Sequence, residues 1–181
     1  MKFKFIFTAT LMAVVCSAKA QEIPSNAIKI NPLSLIFATG NVSYERAVSE
    51  TTSAQLGVFY SGVSISGIKY SGLGITPEFR FYFAGKKQAL NGVYAAPFLR
   101  YQNFTLKDKD TDEKAGFSSF GGGATIGWQK MWPSGFVLDI FAGPSYNAGK
   151  FKNDTNEDDF DISSGISGFG IRTGVTIGFG F

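Results

Sequence analysis

The chain has 181 residues, a formal net charge of +3, 22 glycines, 15% aromatic residues, one cysteine and no histidine. Without histidine it lacks the commonest general base and the commonest protein metal ligand, which argues against most hydrolases and against histidine-based metal centres. Charged residues make up only 17% of the chain, below the usual quarter, while glycine and aromatic residues are abundant.

The first twenty residues predict a secretory signal peptide. Lys2 and Lys4 precede an apolar stretch that is too short to span a bilayer, and Ala18-Lys19-Ala20 forms an A-x-A cleavage site. A retained membrane anchor and a lipoprotein signal at Cys16 are the alternatives. Cleavage would remove three lysines and the only cysteine, leaving 14 basic and 14 acidic residues. We therefore expect one domain over 21–181, without disulfides and without a nucleic-acid partner.

Beyond residue 20, apolar residues recur at every second position, which predicts strands and not helices. Turn signals divide the chain into eight predicted strands, 28–37, 41–48, 53–62, 67–83, 92–106, 116–131, 136–151 and 164–181. The first is the least regular, because Pro32 interrupts it and both of its faces are apolar. Compact turns alternate with longer charged loops, which is typical of an outer-membrane barrel whose two termini are periplasmic.

The positions of the charges indicate which face of the sheet meets lipid. Six charged residues within strands share one glycine-rich face: Glu45, Glu78, Arg80, Arg100, Asp139 and Arg172. On the other face charge occurs only near strand ends, whereas a basic residue at mid-depth in a bilayer would cost about 2–4 kcal/mol. The pattern predicts an all-β fold, an eight-stranded antiparallel transmembrane up-and-down β-barrel, with the six charges paired in a narrow lumen.

Aromatic residues of the apolar face gather near the strand ends and predict two interfacial girdles. On the periplasmic side we expect Tyr44, Phe79, Phe81, Phe83, Trp128, Trp132, Phe136, Phe179 and Phe181, and on the other side Tyr60, Tyr101 and Tyr146. A water-soluble lipocalin-like barrel, with an apolar lumen, would have to enclose all of these side chains. The membrane barrel is therefore favoured.

Two segments resemble known families. Gly174, Ile177, Phe179 and Phe181 resemble the C-terminal signal of Gram-negative outer-membrane barrels, which implies recognition by the barrel-assembly machinery. KINPLSLIFATGNVSYER, residues 29–46, resembles the opening of small Bacteroidota outer-membrane proteins known as a domain of unknown function. The whole mature chain, residues 21–181, resembles the eight-stranded OmpX, OmpA-barrel and opacity-type group in length and plan. The resemblance implies fold and outer-membrane location, with lipid or lipopolysaccharide around the barrel, but not activity.

Residues for catalysis or for binding a metal or another cofactor are not indicated. Lipid-modifying enzymes of this fold and omptin-type proteases both use a histidine, so we expect no enzyme. Asp108, Asp110 and Asp112, and again Asp154, Asn156 and Asp158, alternate like calcium-loop ligands. Both runs lack the glycine and the closing glutamate of such a loop, so a solvated charged loop is favoured over a metal site.

The sequence therefore predicts a structural or interaction protein of the cell envelope, with loops 107–116 and 152–163 as the extracellular contact surface. The partner of these loops is not indicated by any motif. A narrow gated channel and a soluble carrier of a small apolar ligand are the alternative functions.

Overall fold

The computed structural model of the chain describes residues 24–65, 68–83, 88–108, 114–153 and 168–181. The predicted signal peptide, residues 1–20, lies outside the described residues and stays a prediction. In the part of the chain that the structure describes, no helix is long and apolar enough to cross a membrane.

Eight antiparallel strands, each hydrogen-bonded to its neighbours in sequence, form a closed barrel. In chain order they are β1 (Asn26–Ile30), β2 (Thr39–Ala47), β3 (Thr52–Ile65), β4 (Ile68–Tyr82), β5 (Gly92–Asp108), β6 (Lys114–Met131), β7 (Phe136–Asn153) and β8 (Gly168–Gly180). The barrel closes where β1 pairs with β8, with Ala27 opposite Gly180 and Ile30 opposite Ile177. The predicted all-β, eight-stranded, antiparallel up-and-down barrel is confirmed.

The connections place the two chain ends and the compact turns at one end of the barrel, which we call the turn end. Gly135 adopts a φ of 84° in the turn between β6 and β7, a backbone conformation that glycine adopts without strain. Asn26 and Phe181 exchange backbone hydrogen bonds of 3.1 and 2.9 Å at the same end. Phe181 is therefore hydrogen-bonded into the sheet. The opposite end, where β3–β4, β5–β6 and β7–β8 are joined, is called the loop end.

Along each strand, alternate side chains point into and out of the barrel. In β2, Ser43 and Glu45 are buried while Val42 and Tyr44 are exposed. The outward positions of the other strands carry large apolar side chains in the same way, such as Ile126, which is 65% exposed. This barrel thus exposes large apolar side chains and encloses its charged ones, the reverse of a water-soluble protein.

The first strand is shorter than predicted. It ends at Ile30, and Pro32–Phe37 form a 3-10 helix instead. Pro32 suits the first turn of a helix because its missing N–H needs no partner there. Asn31 caps the helix, since its Oδ1 accepts from the N–H of Leu33 at 3.1 Å and of Ser34 at 3.3 Å. The prediction of a strand over 28–37 was therefore wrong beyond Ile30, while β2 to β7 begin and end within about three residues of the predicted positions.

The short first strand leaves the barrel wall uneven in height. β1 has 5 residues, whereas β5, β6 and β7 have 17 or 18. Only Ile177–Gly180 of β8 pair with β1, so among the described residues Gly168–Thr176 pair with β7 alone. The 3-10 helix follows β1 and lies against both β2 and β8, and the N–H of Asn31 donates to the Asn41 carbonyl at 3.2 Å.

Candidate functional site: a charge plug in the barrel lumen

Five strands each place one long polar side chain at the same level inside the barrel, near the turn end. These residues are Lys29 on β1, Glu45 on β2, Arg80 on β4, Gln129 on β6 and Asp139 on β7, and all are at most 1% exposed. Each occupies an inward position of its strand, so the alternation of the sequence brings residues from the whole chain to one point. We call these five residues, together with Glu78, the charge plug.

Lys29 lies at the centre of the plug. Its Nζ donates to Glu45 Oε2 at 2.5 Å, to Gln129 Oε1 at 2.7 Å and to Asp139 Oδ2 at 3.0 Å. An ammonium has three protons, so all three are used. A buried lysine with this geometry is compensated in both charge and hydrogen bonding.

Arg80 binds the same three acceptors from the opposite side of the barrel. Its Nη1 donates to Asp139 Oδ2 at 2.8 Å, to Gln129 Oε1 at 2.9 Å and to Glu45 Oε2 at 3.3 Å. Its Nε donates to Glu78 Oε1 at 2.6 Å. The guanidinium also lies 4.2 Å from the ring centroid of Tyr94, a cation–π contact. Two cations therefore share one set of oxygens.

Hydroxyl groups satisfy the remaining carboxylate oxygens. Tyr82 Oη donates to Glu45 Oε1 at 2.7 Å, and Tyr94 Oη donates to Asp139 Oδ1 at 2.8 Å. Ser53 Oγ also donates to Glu45 Oε1. The two tyrosine rings pack with centroids 5.4 Å apart. The plug is thus a hydrogen-bonded network that spans the lumen.

Residues 88–91, which precede β5, lie under the plug at the turn end. Leu90 there is 1% exposed, and its carbonyl accepts from Gln129 Nε2 at 3.1 Å. This bond fixes the amide so that its oxygen faces Lys29 and Arg80. The lumen is therefore closed at the turn end by both side chains and backbone.

Five of the six predicted lumen charges form one ion-pair network. Arg172 joins it from β8 through Glu78, whose Oε2 accepts from Arg172 Nη1 at 2.5 Å. The Arg172 guanidinium also lies 4.4 Å from the ring centroid of Phe98. Three cations (Lys29, Arg80, Arg172) then face the three carboxylates of the plug, so the formal net charge of the network is zero.

Arg100, the sixth predicted lumen charge, lies apart from this network. Its Nε donates to Thr76 Oγ1 at 3.3 Å. Among the described residues it forms no ion pair. Arg100 therefore lies on the predicted inner face but outside the ion-pair network, in which Lys29 is the third cation beside Arg80 and Arg172.

Sequence reasoning missed Lys29, Gln129, Tyr82 and Tyr94. The alternation of side chains places both Asp139 and Gln129 inside, but a lumen predicted from charged residues alone leaves Gln129 out. Lys29 lies in a predicted strand whose two faces are equally apolar, so the sequence assigns it no inward face. The pairing of Lys29 with Ser43 in the β1–β2 ladder, two residues from Glu45, is the signal that locates it.

The polar groups of the plug are hydrogen-bonded to one another. Ser53, Tyr82 and Tyr94 each donate to a carboxylate that also accepts from Lys29 and Arg80. In the described residues no three acidic or cysteine side chains come together as a metal site. The weak calcium candidates Asp154, Asn156 and Asp158, like Asp110 and Asp112, lie outside the described residues, and no side-chain position is described for Asp108.

The predicted girdle residues all lie on the outside of the barrel. Exposed fractions of 37–58% are found for Tyr44, Tyr60, Phe79, Phe81, Phe83, Tyr101, Trp128, Trp132, Phe136, Tyr146, Phe179 and Phe181. Several pack in pairs, such as Trp132 with Phe136, whose ring centroids are 5.3 Å apart. Of the C-terminal residues, Ile177 and Phe179 pair with β1, and Gly174 lies against the ring of Phe141.

Comparison with known proteins supports this architecture. The model of a family described as "Protein of unknown function (DUF3575)" matches residues 6–163. No curated protein matches the chain. The N-terminal β-barrel domain of Pseudomonas aeruginosa OprF superposes with a TM-score of 0.50 and 14% identity, over 89% of this chain and 100% of that domain. The resemblance to eight-stranded outer-membrane barrels and to a domain of unknown function is thereby confirmed.

Two further solved structures are more distant. A major outer membrane protein from Thermus thermophilus has a TM-score of 0.49 and 11% identity, over 86% of this chain and 99% of that one. Acinetobacter baumannii CarO has a TM-score of 0.40 and 12% identity, over 90% of this chain and 100% of that one.

Proposed function

The chain belongs to the DUF3575 family of proteins of unknown function, and from this premise we propose that it is an integral outer-membrane β-barrel with a structural or interaction role in the cell envelope. In this proposal the barrel carries no catalysis. One observation carries the membrane placement: ionised side chains are enclosed, while the outer surface is a belt of aliphatic and aromatic side chains.

The outer belt is continuous across the strands. Leu73, Leu99 and Ile126 are 52%, 53% and 65% exposed, on β4, β5 and β6. In water such a belt would exceed the few hundred Å² of apolar patch that a soluble monomer exposes. In a bilayer the same side chains would be solvated by lipid, and the aromatic residues near the strand ends would lie at the interfaces.

The contents of the lumen argue against the two alternative functions. A lipocalin-like carrier needs an open apolar lumen, yet the charge plug fills this one near the turn end. A channel would need the ion pairs of Lys29 and Arg80 to break, with charged groups left unpaired. A closed barrel that acts through its surface agrees best with these contacts.

The proposed orientation follows from the two ends of the barrel. Compact turns and both described chain ends share the turn end, which we place in the periplasm. Residues 109–113 and 154–167, at the loop end, would then be extracellular and would make any contact with lipopolysaccharide or another partner. The segment from Gly174 to Phe181 would be recognised by the barrel-assembly machinery before β8 pairs with β1.

Membrane fractionation tests the proposal. Membranes from cells that express the chain are washed with alkaline carbonate, and the protein is followed on gels with and without boiling. We expect the protein in the pellet, with a faster-migrating band in the unboiled sample. Release into the supernatant, as for a soluble periplasmic control protein, would contradict membrane insertion.

A further inference from the structure

Arg100 carries a charge that no carboxylate compensates among the described residues. Its Nε donates to Thr76 Oγ1 at 3.3 Å, and in the described part of the chain it forms no ion pair. Arg80 of the charge plug, by contrast, is fully buried and contacts three carboxylates. Arg100 is partly exposed. Because a side chain inside a closed barrel is exposed only where a water-sized molecule reaches it, Arg100 borders open space in the lumen.

Arg172 of β8 brings a second guanidinium to the same part of the lumen. The guanidinium carbon of Arg172 lies 4.4 Å from the ring centroid of Phe98, and that of Arg100 lies 5.9 Å from the same centroid. Arg172 donates from Nη1 to Glu78, and a guanidinium has five N–H donors in all. Glu78 also accepts from Arg80. Two neighbouring guanidiniums therefore face one carboxylate that a third cation already shares.

The charges of the whole lumen show the same excess. Four cations, Lys29, Arg80, Arg100 and Arg172, face the three carboxylates Glu45, Glu78 and Asp139. The excess positive charge is located at Arg100, since each of the other three cations is bonded to a carboxylate. Because a charge inside a narrow barrel is normally paired, this position favours an anion.

The strands between the two arginines have glycine at the positions that face them. Arg100 pairs with Gly121 of β6, and Arg172 pairs with Gly143 of β7. Both glycines occupy inward positions of their strands, so neither covers the arginine beside it with a side chain. Ser145, at the next inward position of β7, adds a hydroxyl group. The space between the arginines is thus bordered by N–H and O–H donors.

From these contacts we propose that the upper lumen, between the charge plug and the loop end, binds one small inorganic oxyanion of the phosphate or sulfate type. Arg100 and Arg172 donate to its oxygens. An oxyanion is specified because the planar fork of a guanidinium matches two oxygens of one anion. A small one is specified because an eight-stranded barrel has room for side chains or one small ligand. The site goes beyond the proposed function, and binding to the folded barrel does not depend on membrane placement.

Calorimetric titration with inorganic phosphate tests the site in the barrel folded in a non-ionic detergent, at a constant ionic strength set with sodium chloride. We expect saturable binding of one phosphate per barrel. The apparent affinity should fall about tenfold or more in Arg100→Gln, as for a lost charge-assisted hydrogen bond. Arg100→Lys keeps the charge without the fork, so its loss should be smaller. Absence of binding, or unchanged affinity in Arg100→Gln, would overturn the proposal.

Lys130→Gln is the matched control, because it removes the same charge from the outside of the barrel. Lys130 lies near the end of β6 and is partly exposed, so phosphate affinity should stay unchanged. Equal losses in Lys130→Gln and Arg100→Gln would show a response to net charge alone and would overturn the site. The band shift on unboiled gels identifies any variant that has not folded.

A variant at Arg172 tests whether both arginines hold the anion. Arg172→Lys keeps a cation for Glu78, so the barrel should still fold, but the fork is lost. We expect phosphate to bind several-fold more weakly than to the unmodified barrel. Unaltered affinity would overturn a site shared by Arg100 and Arg172.

Anomalous diffraction from crystals grown with selenate, an oxyanion of the same shape as sulfate, locates the bound anion. We expect a selenium peak between Arg100 and Arg172, within hydrogen-bond distance of both guanidiniums, and no such peak in Arg100→Gln. A lumen without a selenium peak, in crystals that hold selenate elsewhere, would contradict the site.

A carboxylate from the loop end is the competing occupant of this space. Residues 154–161, which lie outside the described residues, include five acidic residues. Replacing all five by their amides should leave phosphate affinity unchanged or raise it. Phosphate binding that appears only in this variant would assign the space to a loop carboxylate and overturn the proposal. Carbonate extraction of the same variants reports on membrane insertion separately, so failure of the site and failure of the proposed function are distinguishable.

Discussion

Lys29 and Arg80 donate to the same oxygen: Asp139 Oδ2 lies 3.0 Å from Lys29 Nζ and 2.8 Å from Arg80 Nη1. These residues belong to β1, β4 and β7, so one carboxylate links three separate parts of the wall. β1 is the shortest strand, and it closes the barrel against β8 through only four residue pairs. Its attachment therefore depends on Lys29 as well as on the backbone ladder.

Replacing Lys29 by Met should strongly destabilise the barrel. The substitution leaves Glu45, Asp139 and Gln129 short of one donor and leaves two carboxylates with one cation between them. Breaking a buried ion pair from one side costs about 3–5 kcal/mol. Denaturant unfolding of the barrel in lipid vesicles, followed by the band shift on unboiled gels, measures the change in free energy of unfolding.

Lys130→Met is the matched control for this substitution. Lys130 lies near the end of β6 and is partly exposed, so its loss should change the free energy of unfolding by about 1 kcal/mol or less. Equal effects at Lys29 and Lys130 would contradict a specific role for the plug.

An arginine in the outer belt distinguishes a lipid-facing surface from a water-facing one. Ile126 lies well inside β6, and Ile126→Arg would bring a charge to mid-depth, at a cost of about 2–4 kcal/mol in a bilayer. Val48→Arg, in the turn after β2, should cost about 0–1 kcal/mol because the residue lies at the interface. Unfolding in vesicles measures both variants. Similar small losses for the two would indicate that water surrounds the belt.

Most of the strands, and the face on which their residues lie, could be predicted because the inner and outer faces of the barrel differ so strongly in polarity. Glu78, Arg80 and Asp139 each alternate with large apolar residues along their strands. Because successive side chains point to opposite faces of the sheet, the face of each residue follows once its strand is identified. The same rule could not find the end of β1. There the competing effect is local: Asn31 caps a helix that Pro32 begins, and side-chain capping outweighed the apolar pattern of residues 33–37.

The partners of the lumen charges were harder to predict than their positions. The alternation of side chains places Arg100 and Arg172 on the same inner face. It does not predict which residue across the lumen each side chain contacts. Arg172 reaches Glu78 on a distant strand, whereas Arg100 bonds to Thr76 on its neighbour. That choice depends on strand register and shear, which no local pattern specifies.

Conductance measurements test whether the plug blocks the lumen. In planar bilayers the unmodified protein should give no current steps, because the plug spans the lumen and Leu90 lies beneath it. Arg80 is the largest fully buried side chain among the described residues, and Arg80→Ser should open a polar path and produce steps. Arg100→Ser, which leaves the plug intact, should stay silent. Regular steps from the unmodified protein would instead favour the narrow gated channel.

The C-terminal residue offers a way to separate assembly from stability. Phe181 pairs with Asn26 through backbone groups, which Phe181→Ala keeps, and its side chain is 37% exposed. The purified barrel should therefore lose little stability, about 0.5–1 kcal/mol. In cells, however, the terminal aromatic would be part of the proposed assembly signal, so the amount of folded protein in the outer membrane should fall severalfold.

Phe136→Ala is the control, because it removes a 44% exposed aromatic residue from the same end of the barrel and leaves the terminus unchanged. If both variants lower the folded amount equally, the loss reflects the missing interfacial aromatic, and Phe181 has no separate role in assembly.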